Sequence, residues 1–556
     1  MEKRLYLVFG IFLFFFLAIC LRLFYWQVFS FDSLKFIASQ QTNISSIEKA
    51  ARGSIYSSDN SPLVINQPAY LVFAEPKSMR DKESTIKQLS EILSLDSASV
   101  SAKLNNDKLS WVPIAEKVET ETADKLKKVN LPGIGLIEDA KRFYPEASMA
   151  AHLLGFVGKN QNGDDQGYFG LEGFYDDQLK GRNGYLREER DPSGNPIIAG
   201  DRTVVRAENG RDLILSLDRT VQYIVEDKLK KGLEKYGAAG GSVIVMEPAT
   251  GAILSMASFP SYDPVNRQEF DESFYKNPAI ASSFEPGSTF KVLVMASAVN
   301  EDKVSADMEY DEKGPVTIGQ YQIKTWNQEY HGMIKVPEIL QYSSNVGMVF
   351  IAEKLGNDNL LKYIKNLGFG DLTDIDLQDE GTPELRPENK WYTIDFATVS
   401  FGQGIAATPL QMIRAVAAIA NGGQLVQPAV VSKIRENSGR VITVKPKIQK
   451  RIFSAGAASL VKEMMVQAVE KGETKFLKPI GIRVAGKTGT AQIPISGHYD
   501  TEKTIASFVG FLPADNPKFV MLVTLREPTT SPWGSETAAP LFFTIAQDLI
   551  SYYQIQ

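Results

Sequence analysis

Pro286-Gly287-Ser288-Thr289-Phe290-Lys291-Val292-Leu293-Val294-Met295-Ala296-Ser297-Ala298-Val299 opens on two helix breakers and then runs apolar almost all round. The pattern predicts a buried central helix over 288–299. Ser288 then sits in the first turn, where unpaired N–H groups and the dipole favour developing negative charge. Lys291, three residues on, shares its face. Serine is a poor nucleophile until a neighbouring base takes its proton. The three histidines, His152, His331 and His498, are far apart and no Gly-x-Ser-x-Gly elbow exists, so lysine is the available base. That base must be neutral. Moving a lysine pKa from about 10.4 to about 7 requires roughly 4.6 kcal/mol of environment, which desolvation and a second cation can supply.

Ser-x-x-Lys alone is weak, since it also occurs at Ser46/Lys49, Ser84/Lys87, Ser273/Lys276 and Ser459/Lys462. Two later boxes single out Ser288/Lys291. Ser343-Ser344-Asn345 has the spacing that lets a hydroxyl and an amide project together from a tight loop between helices. Ser343 can relay a proton from Lys291 to a leaving amine, and Asn345 can both donate to and accept from a peptide amide. Lys487-Thr488-Gly489-Thr490 offers a cation, two hydroxyls for a carboxylate, and a glycine where a substrate backbone could approach a strand. Backbone N–H groups of Ser288 and Thr490 are candidates for an oxyanion hole. The literal Ser58-Asp59-Asn60 lies far from both partners and reads as a turn. His498 and Tyr499, just beyond the third box, either border the cleft or form a plain surface loop, and the loop is the preferred reading.

The 556 residues should form two or three domains. A net charge of −6 with dispersed Lys and Arg gives no basic stripe for nucleic acid. Cys20 is the single cysteine, which excludes a disulfide framework and a Cys-rich metal site. No histidine spacing suits a metal, and no cofactor is expected. At the N-terminus Glu2-Lys3-Arg4 precedes an uncharged stretch from Leu5 to Leu21, and after Arg22 the apolar run continues to Phe29. This predicts a single-pass, uncleaved signal anchor at 1–29, N-terminus inside, with the rest outside the cytoplasmic membrane.

Residues 30–206 alternate short strand-like runs, turns and surface helices over 84–93 and 122–129, with no nucleophile–base pair, and read as a scaffold. From 207 to 556 the texture changes to buried strands and helices. Two hairpins, 242–258 and 506–525, plus a strand at 482–485 make a five-stranded, largely antiparallel sheet. Helices are predicted over 220–236, 337–355, 408–420, 455–471 and 538–553. Strands from both ends with helices between them indicate an α+β domain.

The three boxes resemble the penicillin-binding protein and serine β-lactamase superfamily. So do Tyr262-Asp263-Pro264 with Asn266, Phe284-Glu285-Pro286-Gly287, Gly402-Gln403-Gly404, Ala485-Gly486, Ser507-Phe508-Val509-Gly510-Phe511 and Ala538-Ala539-Pro540. Upstream, Arg52-Gly53 with Ile55, Tyr144-Pro145, Ala150-Ala151-His152-Leu153-Leu154-Gly155 and Gly170-Leu171-Glu172-Gly173 resemble the pedestal, or dimerisation and partner-docking domain, of class B members. The resemblance implies a peptidoglycan D,D-transpeptidase that crosslinks stem peptides of lipid-linked glycan strands through a Ser288 acyl-enzyme and is acylated by β-lactams. It implies a SEDS-type glycosyltransferase and other divisome proteins as partners. The segment 150–155 and Lys-Thr-Gly-Thr lean toward the septal type. Two alternatives share the chemistry: a serine β-lactamase, for which no water-activating residue is identifiable, and a β-lactam-binding sensor that does not crosslink.

Overall fold

The computed structural model describes residues 2–105, 109–189, 197, 202–495 and 498–556. The chain divides into two compact units, one of residues 1–52 with 180–210 and the other of 53–179 with 211–556.

In the first unit an α-helix, Glu2–Phe24, runs into a π-helical turn, Tyr25–Phe29, and this continuous rod is long and apolar enough to cross a membrane. Its apolar side chains are exposed along the whole length, as a lipid-facing helix requires and a soluble core helix does not. The Arg22 guanidinium lies over the Trp26 ring, 5.4 Å from its centroid, which covers the one charge inside the run. The same unit holds a three-stranded antiparallel sheet of Asn43–Glu48, Gly184–Glu189 and Arg202–Val205.

The second unit contains the α+β domain that carries the three boxes. In chain order its main elements are α1 (Arg219–Tyr236), β1 (Gly240–Met246), β2 (Ile253–Phe259), α2 (Lys291–Asn300), α3 (Val336–Gln341) and α4 (Asn345–Leu355). They continue with α5 (Pro409–Ala420), α6 (Ala455–Lys471), β3 (Ala485–Ile495), β4 (His498–Leu512), β5 (Phe519–Arg526) and α7 (Ala538–Tyr552). The sheet order is β2-β1-β5-β4-β3, antiparallel throughout. Alternation along β1 explains the layers. Val243 and Val245 face α1 and α7, while Ile244 and Met246 face a larger core built on α2, α5 and α6.

Several helix and strand expectations shift, among them the strand expected from 506, which starts at His498. The run 337–355 is two helices, because the backbone breaks at Tyr342-Ser343-Ser344 and Ser343 takes φ +55°. Ser288 lies in a 3₁₀ turn, Gly287–Phe290, and the α-helix starts only at Lys291. The third strand begins at Ala485, not 482.

Upstream, the thirteen-residue strand Pro62–Ala74 pairs with Val112–Glu119 and Ile134–Phe143. The short strand Ile55–Tyr56 joins it to Asp212–Leu215 and on to Val431–Arg435, so one sheet passes from the scaffold into the α+β domain. Arg142 ties this scaffold inside: it donates to Glu172, Asn66 and the Gly53 carbonyl at 2.7 to 2.8 Å. Ser58-Asp59-Asn60 is indeed a turn, with Asp59 accepting from the Ser61 N–H.

Candidate active site

Gly287 makes the Ser288 turn possible. Its φ is +55°, and a Cβ there would stand 2.7 Å from the Thr490 carbonyl oxygen, so the turn and the third box touch backbone to backbone. Thr289 pins the turn by donating to the Pro286 carbonyl at 2.7 Å. Behind it α2 is buried on every side. Lys291 is 0% exposed, whereas Lys49, Lys87 and Lys276 of the rival pairs are exposed and Lys462 is partnered by Asp515. Three hydrogen bonds leave the Lys291 amine, and all go to the second box: to the Ser343 carbonyl at 2.6 Å, the Ser343 hydroxyl at 3.3 Å and Asn345 Oδ1 at 2.8 Å. Burial above all, then the charge of Lys487, holds its pKa well below the lysine range; Glu473 and Glu312 work the other way.

The break between α3 and α4 presents this box. Ser344 caps α4, accepting from the Gly347 N–H at 2.8 Å and donating to Glu312. Asn345 closes its other end by donating from Nδ2 to the Lys324 carbonyl at 3.0 Å.

In the third box β3 pairs with β4 through Lys487↔Val509 and Gly489↔Ser507. A Cβ on Gly489 would lie 2.8 Å from Thr289 Cγ2 and 3.1 Å from the Pro286 carbonyl, closer still to Ser507 Oγ. The room that glycine leaves is thus filled by the Ser288 turn, where the sequence suggests an approaching substrate. Lys487 is 4% exposed and donates to the Thr488 hydroxyl at 2.9 Å and carbonyl at 3.2 Å. Burial pushes its pKa down to about 8, with Glu473 opposing. Thr488 donates onward to Glu473 Oε2 at 3.2 Å, and Thr490 Oγ1 accepts from the Gly534 N–H at 2.9 Å.

Sequence reasoning misses several neighbours. Glu312 and Glu473 lie outside every box and carry no local signature. Tyr499 is more than a surface loop: its hydroxyl meets the Glu285 carboxylate at 3.1 Å, three residues before Ser288, and the Gly404 N–H donates to the same carboxylate at 3.0 Å. Burial raises the Glu285 pKa. Trp326 and Trp533, one near each of the later boxes, bring their rings to 5.1 Å.

Residues 241–547 match the penicillin binding protein transpeptidase domain, and 47–215 match the penicillin-binding protein dimerisation domain. The chain belongs to the class B penicillin-binding proteins. Stage V sporulation protein D of Bacillus subtilis is 35% identical over 561 residues, covering 98% of this chain and 85% of that one. The peptidoglycan D,D-transpeptidase FtsI of Escherichia coli is 30% identical over 515 residues, covering 91% and 84%. A peptidoglycan synthetase from Bifidobacterium adolescentis superposes with a TM-score of 0.75 at 26% identity, over 92% of this penicillin-binding protein and 97% of its own chain. The N-terminal apolar helix fits a single-pass membrane anchor.

Proposed function

We propose that this penicillin-binding protein crosslinks peptidoglycan at the division septum by acyl transfer through Ser288. Lys291, neutral, takes the Ser288 proton while Oγ attacks the carbonyl carbon of the penultimate D-Ala in a stem pentapeptide. The tetrahedral oxyanion is held by the N–H groups of Ser288 and Thr490. As the C–N bond breaks, the Ser343 hydroxyl passes a proton to the departing amine of the terminal D-Ala. A side-chain amine of a neighbouring stem then attacks the ester, releases Ser288 and forms the crosslink. One peptide bond is exchanged for another, so no external energy source enters. Asn345 holds the donor's amide; Lys487, Thr488 and Thr490 hold its terminal carboxylate, with Gly489 between them. β-Lactams acylate the same serine.

Residues 1–29 anchor the protein with its N-terminus inside, 30–206 form the pedestal, and 207–556 catalyse outside the membrane. Glycan polymerisation comes from a SEDS-type partner among other divisome proteins. The observation that carries the reading is a fully buried amine, three residues from Ser288, whose hydrogen bonds all end on the Ser343–Asn345 box. Labelling with a fluorescent penicillin tests it: wild type should take up stable label, Ser288→Ala none, and lipid-linked strands should be crosslinked only by the wild type. Absence of label on the wild type overturns the reading; rapid release of label turns it into a β-lactamase.

A further inference from the structure

Behind the second box lies a polar cluster that belongs to none of the three. Glu312 ends the strand Glu309–Glu312 and is completely buried. One of its carboxylate oxygens accepts from the Ser344 hydroxyl. The other accepts from the His331 backbone N–H at 3.0 Å and from its Nδ1–H at 2.9 Å. The His331 ring lies flat on Tyr342, centroids 3.9 Å apart and planes within 5°. Tyr342 precedes Ser343, so the cluster grips the box from both sides.

A buried carboxylate is costly unless donors surround it, and this one has them. Among the described residues, His331 is its one ion-pair partner, and no lysine or arginine touches it. With Glu473, Glu312 is one of the two carboxylates that favour the charged form of Lys291. Ser343 meanwhile holds a left-handed conformation, which persists only when its surroundings over-determine it.

We propose that Glu312 is a positioning residue for acylation: through Ser344 and His331 it fixes the strained Ser343 turn against Lys291, and it places a fixed negative charge behind that amine. The inference rests on the reading of Lys291 as the base. The titratable groups facing Lys291 are Lys487 and Glu473 from the side of β3, and Glu312 from behind the box. Those facing Glu312 are His331, Lys291 and Tyr310. An anion favours the protonated amine. Removing it lets Lys291 become neutral at lower pH, so the acid limb of the acylation profile moves down. Removing the imidazole donor strengthens the field of the carboxylate, and the limb moves up.

The test is the second-order rate of acylation of the full-length protein by a fluorescent penicillin, from about pH 5 to about pH 10. Glu312→Gln should shift the acid limb down by about half a unit or more and lower the plateau by about tenfold as the loop loosens. His331→Phe, which keeps an aromatic ring against Tyr342, should shift the limb up. If both variants are slower at every pH with an unmoved limb, Glu312 is merely structural and the proposal fails. Should Glu312→Gln not fold, an unmoved limb in His331→Phe alone overturns it. A wild type that takes no label, or a Ser288→Ala variant that does, would instead overturn the reading of the base.

Discussion

Two lysines share the cleft, and neither could sit there with its ordinary affinity for protons. Burial takes Lys291 well below the lysine range and Lys487 to about 8, and the first of these suits the base proposed for Ser288. Arginine cannot release its proton. Lys291→Arg should therefore lose about 10²- to 10⁴-fold in acylation by a fluorescent penicillin, and a uniform twofold loss would argue against a base at this position. Glu473 acts on both lysines, favouring the charged form of each. Glu473→Gln should therefore lower the Lys487 pKa further. Lysine loses its charge as pH rises through its pKa, so capture of the substrate carboxylate should fail earlier on the alkaline side. Acylation by a carboxylate-bearing β-lactam should then be no slower than wild type near about pH 6, where a more easily neutralised Lys291 helps, and clearly weaker near about pH 8; equal weakening at both would rule out the electrostatic account.

At the level of elements, the site is a meeting of a turn, a helix break and a strand, held at distances that only glycine allows. Gly489→Ala would push a methyl group into Thr289 and the Pro286 carbonyl. Because the turn carries Ser288, acylation should fall by about 100-fold or more, as for a displacement of about 1 Å at the reacting centre, while thermal unfolding shows whether the sheet tolerates the change. The sheet itself was legible in the sequence. Hairpin spacing, strand alternation and helix stops place β1, β2, β5 and most helices within a few residues, whereas β4 begins at His498 and not at 506. The helix break was not fully legible, because apolar spacing continues from Val336 through Leu355 and nothing in composition announces a serine at positive φ. Ser288, Lys291, Ser343 and Lys487 declare themselves by order along the chain. Glu312 and Glu473 do not, since each reaches its partner through tertiary folding and stands in an unremarkable local sequence.

Across the whole of the second unit, one histidine reports on how the pedestal is joined to the catalytic domain. His152, in the Ala-Ala-His-Leu-Leu-Gly segment, donates from Nε2 to the Phe274 carbonyl at 2.8 Å and stands edge-on to Tyr262, at 5.5 Å. Tyr262 in turn donates to the Ala151 carbonyl at 3.1 Å. Two motifs more than a hundred residues apart thus close on one buried contact. Burial, offset in part by the Phe274 hydrogen bond, pushes the His152 pKa down to about 4 from 6.5. The folded state keeps the imidazole neutral, whereas the unfolded chain takes up a proton below about 6.5. The stability linked to this group is therefore complete above that pH and is lost as pH falls through about 4, by roughly 3 kcal/mol over the span. Glutamine can keep the donor to Phe274 without titrating. In urea unfolding of the full-length protein, wild type should lose about that much more stability than His152→Gln between about pH 7 and about pH 4. The two should label alike with penicillin at neutral pH, because the contact lies away from the Ser288 boxes. Identical pH dependence of the two proteins would mean that this junction does not open where the imidazole charges.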